Sequence, residues 1–191
     1  MPEPSDDSLV LRPIATVHSP LRARSEAPHQ GTVNVGRAAP REVAGEIELH
    51  QTCPAEALRD IAGFDYIWVI YGFHRNSGWK ALVHAPRGPR VKRGVLATRS
   101  PHRPSGLGLT AVRLVAVEGR VLRVSGLDML DGTPVYDLKP YIPYADAFPT
   151  AKAGWVDEVD AMEPTARPGE PTPGRKPRIG RKLGLDRKPG S

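Results

Sequence analysis

Residues Leu109–Leu127, "LTAVRLVAVEGRVLRVSGL", hold two apolar, β-branched runs on either side of a Glu118-Gly119 pair. Such runs fit a half-buried pleated surface, and the glycine supplies the positive φ of a tight hairpin. The spacing predicts strands over Leu109–Val117 and Val121–Leu127 joined by that turn. Further strand-like runs lie at Leu11–His18, Gly45–His50, Tyr66–Phe73 and Gly94–Thr98, with turn signals between them. "DYIWVIYGF" is too short to cross a membrane and too aromatic and β-branched for a surface helix. It reads as a central strand whose apolar residues are core. One segment, "TCPAEALRDIAGF" (Thr52–Phe64), reads as a helix: Pro54 suits its first position, Leu58 and Ile61 form an i, i+3 pair, and Gly63 stops it. One sheet of six or more strands avoids open edges by closing, so a mainly β, single-sheet β-barrel with one or two short helices is expected.

The chain has 191 residues, 39% of them hydrophobic, enough for one domain with a proper core. A single cysteine, Cys53, excludes an intrachain disulfide and a cysteine-based metal site. The opening "MPEPSDDSLV" has neither a basic nor an apolar signal region, and no later run approaches the ~18 apolar residues of a membrane span. A cytoplasmic protein without membrane association is expected. The net charge of +6 is concentrated near the end of the sequence: residues 163–191 carry eight Lys/Arg against three acids, whereas residues 1–162 carry 19 against 18. Eleven of those last 29 residues are Pro or Gly, and few are apolar. Such a composition cannot offset its own ordering entropy, so a domain over 1–162 and a mostly disordered basic tail over 163–191 are expected.

Several common chemistries are excluded or unsupported. There is no G-K-[ST] of a P-loop, no G-x-G-x-x-G between strand and helix, and no G-x-S-x-G elbow. The six histidines show no paired metal-ligand spacing, so no metal is expected. What stands out instead is "VLATRSPHRPSGLGLTAVRL" (Val95–Leu114), a stiff, basic, glycine-punctuated loop between strand-like flanks. Its chemistry suits an anion, a nucleotide or RNA. "LDMLDGTPVYDLKPYIPYAD" (Leu127–Asp146) clusters Asp128, Asp131 and Asp137 with Lys139, Tyr141 and Tyr144, a polar set fit for a ribose, an amine or a cation. "EAPHQGTV" (Glu26–Val33) reads as a loop, and "GFHRN" (Gly72–Asn76) ends an apolar strand abruptly in polar residues, where active sites collect.

Taken in order, "IATVHSPLR", "APHQ", "GFDYIWVIYGFHR", "GVLATRSPHRPSGLGLTAVRL" and "LDMLDGTPVYDLKPY" resemble the TrmO family of tRNA methyltransferases, also called TsaA-like or YaeB-like, from about Arg12 to about Asp146. The resemblance implies a single-sheet β-barrel that binds S-adenosyl-L-methionine, dimerises around that site, and methylates the exocyclic amine of threonylcarbamoyl-adenosine beside the tRNA anticodon. It places the cofactor pocket on Pro28, His29, Gln30, His74, Arg75, Arg99, Leu109, Asp128, Met129, Leu130 and Asp131. Asp137 or Tyr141 is a candidate to assist proton loss from the accepting nitrogen; Arg103, Lys139 and the basic tail are candidates for tRNA phosphates. The family's usual R-P-N-P-I-G-x-S stands here as Arg103 to Thr110, "RPSGLGLT". Two other readings fit the same residues: a barrel that binds the cofactor or RNA without catalysis, and an enzyme with a different acceptor.

Overall fold

The alternation seen in Leu109–Leu127 puts every second side chain inside a closed barrel. The computed structural model describes residues 9–27, 43–85 and 88–162; Pro28, His29, Gln30 and the 163–191 segment lie outside them. In chain order the strands are β1 (Ala15–His18), β2 (Ala44–Leu49), β3 (Tyr66–Gly72), β4 (Leu82–His84), β5 (Lys92–Gly94), β6 (Leu107–Glu118), β7 (Val121–Ser125) and β8 (Pro134–Pro140). Six of them close in the order β1-β2-β7-β6-β3-β8, every neighbouring pair antiparallel, while β4 and β5 form a separate two-stranded ribbon. Two short helices follow, α1 (Pro143–Asp146) and α2 (Trp155–Met162).

The barrel's interior is filled by Ala15, Val17, Ile47, Ile67, Val69, Val112, Leu122 and Val135, with Tyr71 at one end of the row. Burying each valine, leucine or isoleucine side chain contributes about 1.5–3 kcal/mol relative to leaving it exposed. The β6–β7 hairpin forms as its sequence dictates: Glu118 pairs with Val121, and Gly119 takes φ +61° at the first turn position. One register shift, between Leu114 and Ala116, resets the alternation of β6: Val115 stays outward, 61% exposed, and Val117 instead of Ala116 packs on the core. Such a bulge bends a strand around a barrel wall.

Three expectations need correcting. Thr52–Phe64 is not an α-helix but two 3-10 turns, Ala55–Leu58 and Ile61–Gly63, separated by Asp60 at φ +67°. Arg120 donates from Nη1 to the carbonyls of His50 (2.9 Å) and Cys53 (2.7 Å), and Leu58 is pulled into the core. The segment thus plugs a barrel end, and the left-handed break lets both Leu58 and Ile61 face inward. Gly94–Thr98 is not a strand: the chain leaves β5 at Gly94 and turns through a 3-10 turn over Val95–Ala97. The sixth barrel strand is instead β8, within the segment Leu127–Asp146 whose polar cluster masks its strand character.

Candidate active site

One end of the barrel gathers the loops that leave β1 and β3 and those that enter β6 and β8. These loops are tied to one another rather than left independent. Asp131 accepts the Ser19 amide at 3.1 Å and a bond from Arg22 Nη1, and its own amide donates to the Leu21 carbonyl at 2.9 Å. Arg75 donates to the Arg22 carbonyl at 2.6 Å, Arg24 donates to the Arg75 carbonyl, and Asn76 donates to the Pro101 carbonyl at 3.0 Å. Four separate stretches of chain therefore form one rim.

Within the rim, three side chains form a polar chain at the mouth of the apolar core. The Thr110 hydroxyl donates to the Asp128 carboxylate, 2.9 and 3.0 Å from its two oxygens. Its single proton being committed there, Thr110 accepts from the Tyr71 hydroxyl at 3.3 Å. Tyr71 and Thr110 are buried, and burial together with the Asp128 charge pushes the phenol well above its ordinary range. The positive charge of Arg99 acts on the same phenol in the opposite direction, which brings Arg99 into the neighbourhood of this cluster. Tyr71 fits only because position 108 has no side chain: its ring lies across Gly108, its registered partner on β6.

His74, just past β3, lies 3.4 Å from the Thr133 hydroxyl through Nδ1. That hydroxyl donates to the Leu130 carbonyl at 2.7 Å, so Nδ1 carries the imidazole proton and Nε2 is left as an acceptor. Partial burial, then the neighbouring Arg75 charge, holds His74 below the ordinary histidine range and keeps it neutral near pH 7.

The expected site residues divide by position. His74, Arg75, Arg99, Leu130, Asp128 and Asp131 come together at this rim, whereas Met129 is buried in the core and Leu109 lies on the barrel's outer wall, 55% exposed. Asp131 acts as the latch between two loops. Pro28, His29 and Gln30 fall outside the described residues. Arg103 folds back toward the Thr98 carbonyl at 3.5 Å. Asp137 and Lys139 sit along β8, paired with each other at 2.8 Å. Tyr141 is bonded through its amide to Tyr66 and tilts against Trp68 at 5.4 Å. That is the far end of β3, six residues or roughly 20 Å from Gly72.

Two residues central to the cluster, Tyr71 and Thr110, are absent from the expected set. The signal for Thr110 is its parity: in "GLTAV" it shares the inward face with Gly108 and Val112, and a hydroxyl facing a core needs a partner. Among the described residues no group of three or more metal-ligating side chains is gathered, and no helix is long and apolar enough to cross a membrane.

The sequence matches the family described as tRNA-methyltransferase O N-terminal domain over residues 16–147. It is 38% identical over 150 residues to a probable S-adenosyl-L-methionine-binding protein of Pyrococcus abyssi, covering 78% of this chain and 77% of that one. It is 34% identical over 167 residues to the tRNA (adenine(37)-N6)-methyltransferase of Escherichia coli, covering 82% of this chain and 67% of that enzyme. The crystal structure of TrmO from Pseudomonas aeruginosa superposes with a TM-score of 0.62 at 34% identity, covering 78% of this chain and 63% of that one. The chain thus spans somewhat under two thirds of the solved relative.

Proposed function

Since the chain belongs to the tRNA-methyltransferase O N-terminal domain family, we propose that it is an S-adenosyl-L-methionine-dependent methyltransferase that acts on the exocyclic amine of an adenosine in tRNA, threonylcarbamoyl-adenosine beside the anticodon. The observation that carries the reading is the rim cluster of Asp128, Thr110 and Tyr71 beside Arg99. Its donor set suits the cofactor. A fixed carboxylate matches a ribose diol or an amine, a guanidinium matches a carboxylate, and neutral His74 Nε2 offers a further acceptor. When bound, the cofactor supplies an electrophilic methyl group on a cationic sulfur. In-line transfer of that methyl to the accepting nitrogen would release the nitrogen's proton, which a carboxylate or neutral imidazole of the rim would accept.

No covalent help is required for such a displacement, so the chain's contribution is positioning. Thr110 holds Asp128 in one orientation, and the Asp131 latch holds the turn that presents Asp128. Among the described residues, Asp128 and neutral His74 are rim acceptors able to take a proton, whereas Asp131 is committed to Ser19 and Arg22. Asp137 and Tyr141 stay candidates to assist proton loss only for a substrate that reaches along the outer wall of β8. Arg103 and Lys139 are further candidates for phosphate contacts.

A homodimer is part of the proposal. Its support is the apolar outer wall of β3 and β6, where Leu109 is 55% exposed near the rim and Tyr66 38% at the far end. The enzyme works where its tRNA is, in the cytoplasm.

The test is incubation with methyl-labelled S-adenosyl-L-methionine and tRNA from cells lacking this activity, followed by nucleoside analysis. Label in the modified adenosine is expected. Cofactor binding without transfer would reduce the protein to a binding module, and label in a small-molecule fraction would replace the acceptor. By titration calorimetry, Arg99→Ala and Asp128→Asn are each expected to weaken cofactor binding at least tenfold, with the apo melting temperature nearly unchanged. Wild-type affinity in both variants would remove the site from this rim.

A further inference from the structure

From Tyr66 to Val117 the sequence contains no aspartate or glutamate, and residues 73–106, which link β3 to β6, carry eight Lys/Arg. The rest of residues 1–162 is therefore net negative, and this connection is a basic island on it. It is built around the β4–β5 ribbon, whose register pairs Leu82 with Gly94, Val83 with Arg93 and His84 with Lys92. Side chains alternate across a ribbon, so Val83 and Arg93 share one face while Leu82, His84 and Lys92 share the other.

The first face is covered. Arg93 reaches Glu158 at 3.5 Å and lies 5.0 Å over the Trp155 ring, and the Gly88 backbone rests against Val159. All three partners belong to α2. The second face is open: Leu82 is 55% exposed, and His84 and Lys92 are exposed beside it. Trp79, 52% exposed, and Lys80 precede β4; Arg90 precedes β5. Among the described residues, no carboxylate lies within ion-pair distance of Lys80, Arg90 or Lys92. Unpaired cations strung along the ribbon, with an exposed indole at its rim end, suit one kind of ligand better than others. Phosphates meet the cations, and an unstacked base lies on the ring. A base-paired stem has no use for the indole, and an apolar protein partner has none for the cations.

We propose that the open face of the β4–β5 ribbon, with Trp79 and Lys80, is an RNA-docking surface that takes an unpaired loop. The proposal rests on the reading of the rim as a tRNA-modifying site. Both ends of the ribbon run into that rim, one through His74 and Arg75 and the other through Thr98 and Arg99. RNA gripped by the ribbon is thereby held beside the candidate active site.

The test measures binding of the full chain to a labelled anticodon stem-loop RNA and to a fully paired RNA of equal length, over a series of salt concentrations. Lys80→Gln/Lys92→Gln is expected to weaken stem-loop binding about tenfold and to flatten the log–log salt dependence by about one to two, one step per lost phosphate contact. Trp79→Ala is expected to weaken stem-loop binding about tenfold while leaving duplex binding and the salt slope unchanged. Arg59→Gln, an exposed charge at the plugged end of the barrel, serves as the control for net charge and should stay within about twofold of wild type. Cofactor affinity should be unchanged in every variant. Wild-type affinity and slope in the ribbon variants would overturn the assignment, as would RNA losses that occur only together with loss of cofactor binding. The two readings separate cleanly. RNA binding through the ribbon without methyl transfer keeps the surface and removes the enzyme; methyl transfer with an unaltered KM for tRNA in the ribbon variants does the reverse.

Discussion

An alanine at position 108 would bring its Cβ to 2.3 Å from the Tyr71 ring, far inside the contact distance of packed carbons. The ring cannot swing away without breaking its bond to Thr110 and losing its place in the core. Gly108→Ala is therefore expected to cost about 1–3 kcal/mol or more by denaturant unfolding, the range for overpacking a filled site. Adding Tyr71→Leu should recover part of that loss, and no recovery would assign the damage elsewhere. His74 gives a second expectation at this scale. Its folded value is lowered, so between that value and about 6.5 the unfolded chain binds the extra proton. Stability should fall as pH drops below about 6.5 and level off once the folded histidine also protonates. His74→Gln should remove that component from a melting-temperature profile, and an NMR titration of the ring should place its midpoint below that of a free histidine. Asp128 was legible in the sequence because it stands in a cluster of acids within a block that resembles the family. Tyr71 and Thr110 were not, since each matters only through the partner brought to it from another strand, and a strand's apolar run hides an inward hydroxyl.

At the level of elements, the hairpin was legible because period-two alternation and a glycine turn agree. β8 was obscured by proline at both of its ends and by Asp137 and Lys139 between them. Proline is tolerated there because a strand's terminal positions give up fewer ladder bonds. The missed α2 matters more, since it positions part of the rim. Trp155 donates from Nε1 to the Ala97 carbonyl at 2.7 Å, holding the 3-10 turn that leads into Thr98 and Arg99. Trp155→Phe keeps an aromatic ring beside Arg93, though a smaller one, and deletes that donor. We expect a stability loss of only about 0.5–1.5 kcal/mol but a several-fold rise in the cofactor's dissociation constant. An unchanged dissociation constant would mean that Arg99 is held by other contacts.

The barrel as a whole is closed unevenly. β3 and β6 share seven registered pairs, from Tyr66–Arg113 to Gly72–Leu107, whereas the β1–β8 seam has two, Ala15–Val135 and Thr16–Pro134. Local openings should begin where the ladder is shortest. Hydrogen exchange is expected to show the strongest protection in β3 and β6 and earlier exchange at Ile14 and Val17, whose amides cross the seam to Val135 and Thr133. Exchange of those two amides only through global unfolding would show that the seam is as strong as the rest. Closure itself could be anticipated from composition, because a mainly β chain must deal with its edges. The location of charge in space could not, because the basic stretch becomes a surface only when β4 pairs with β5.

Gly72 and Leu107 face each other across the sheet, so the 34 residues between them leave the wall and return to it at adjoining points. The excursion is in effect a cassette, insertable or removable at a single doorway without altering the order of the barrel's strands. His74, Arg75, Arg99 and the ribbon travel together inside it. A grafted excursion from another barrel of this kind would transplant the proposed RNA-docking ribbon and part of the candidate cofactor site as one inherited unit.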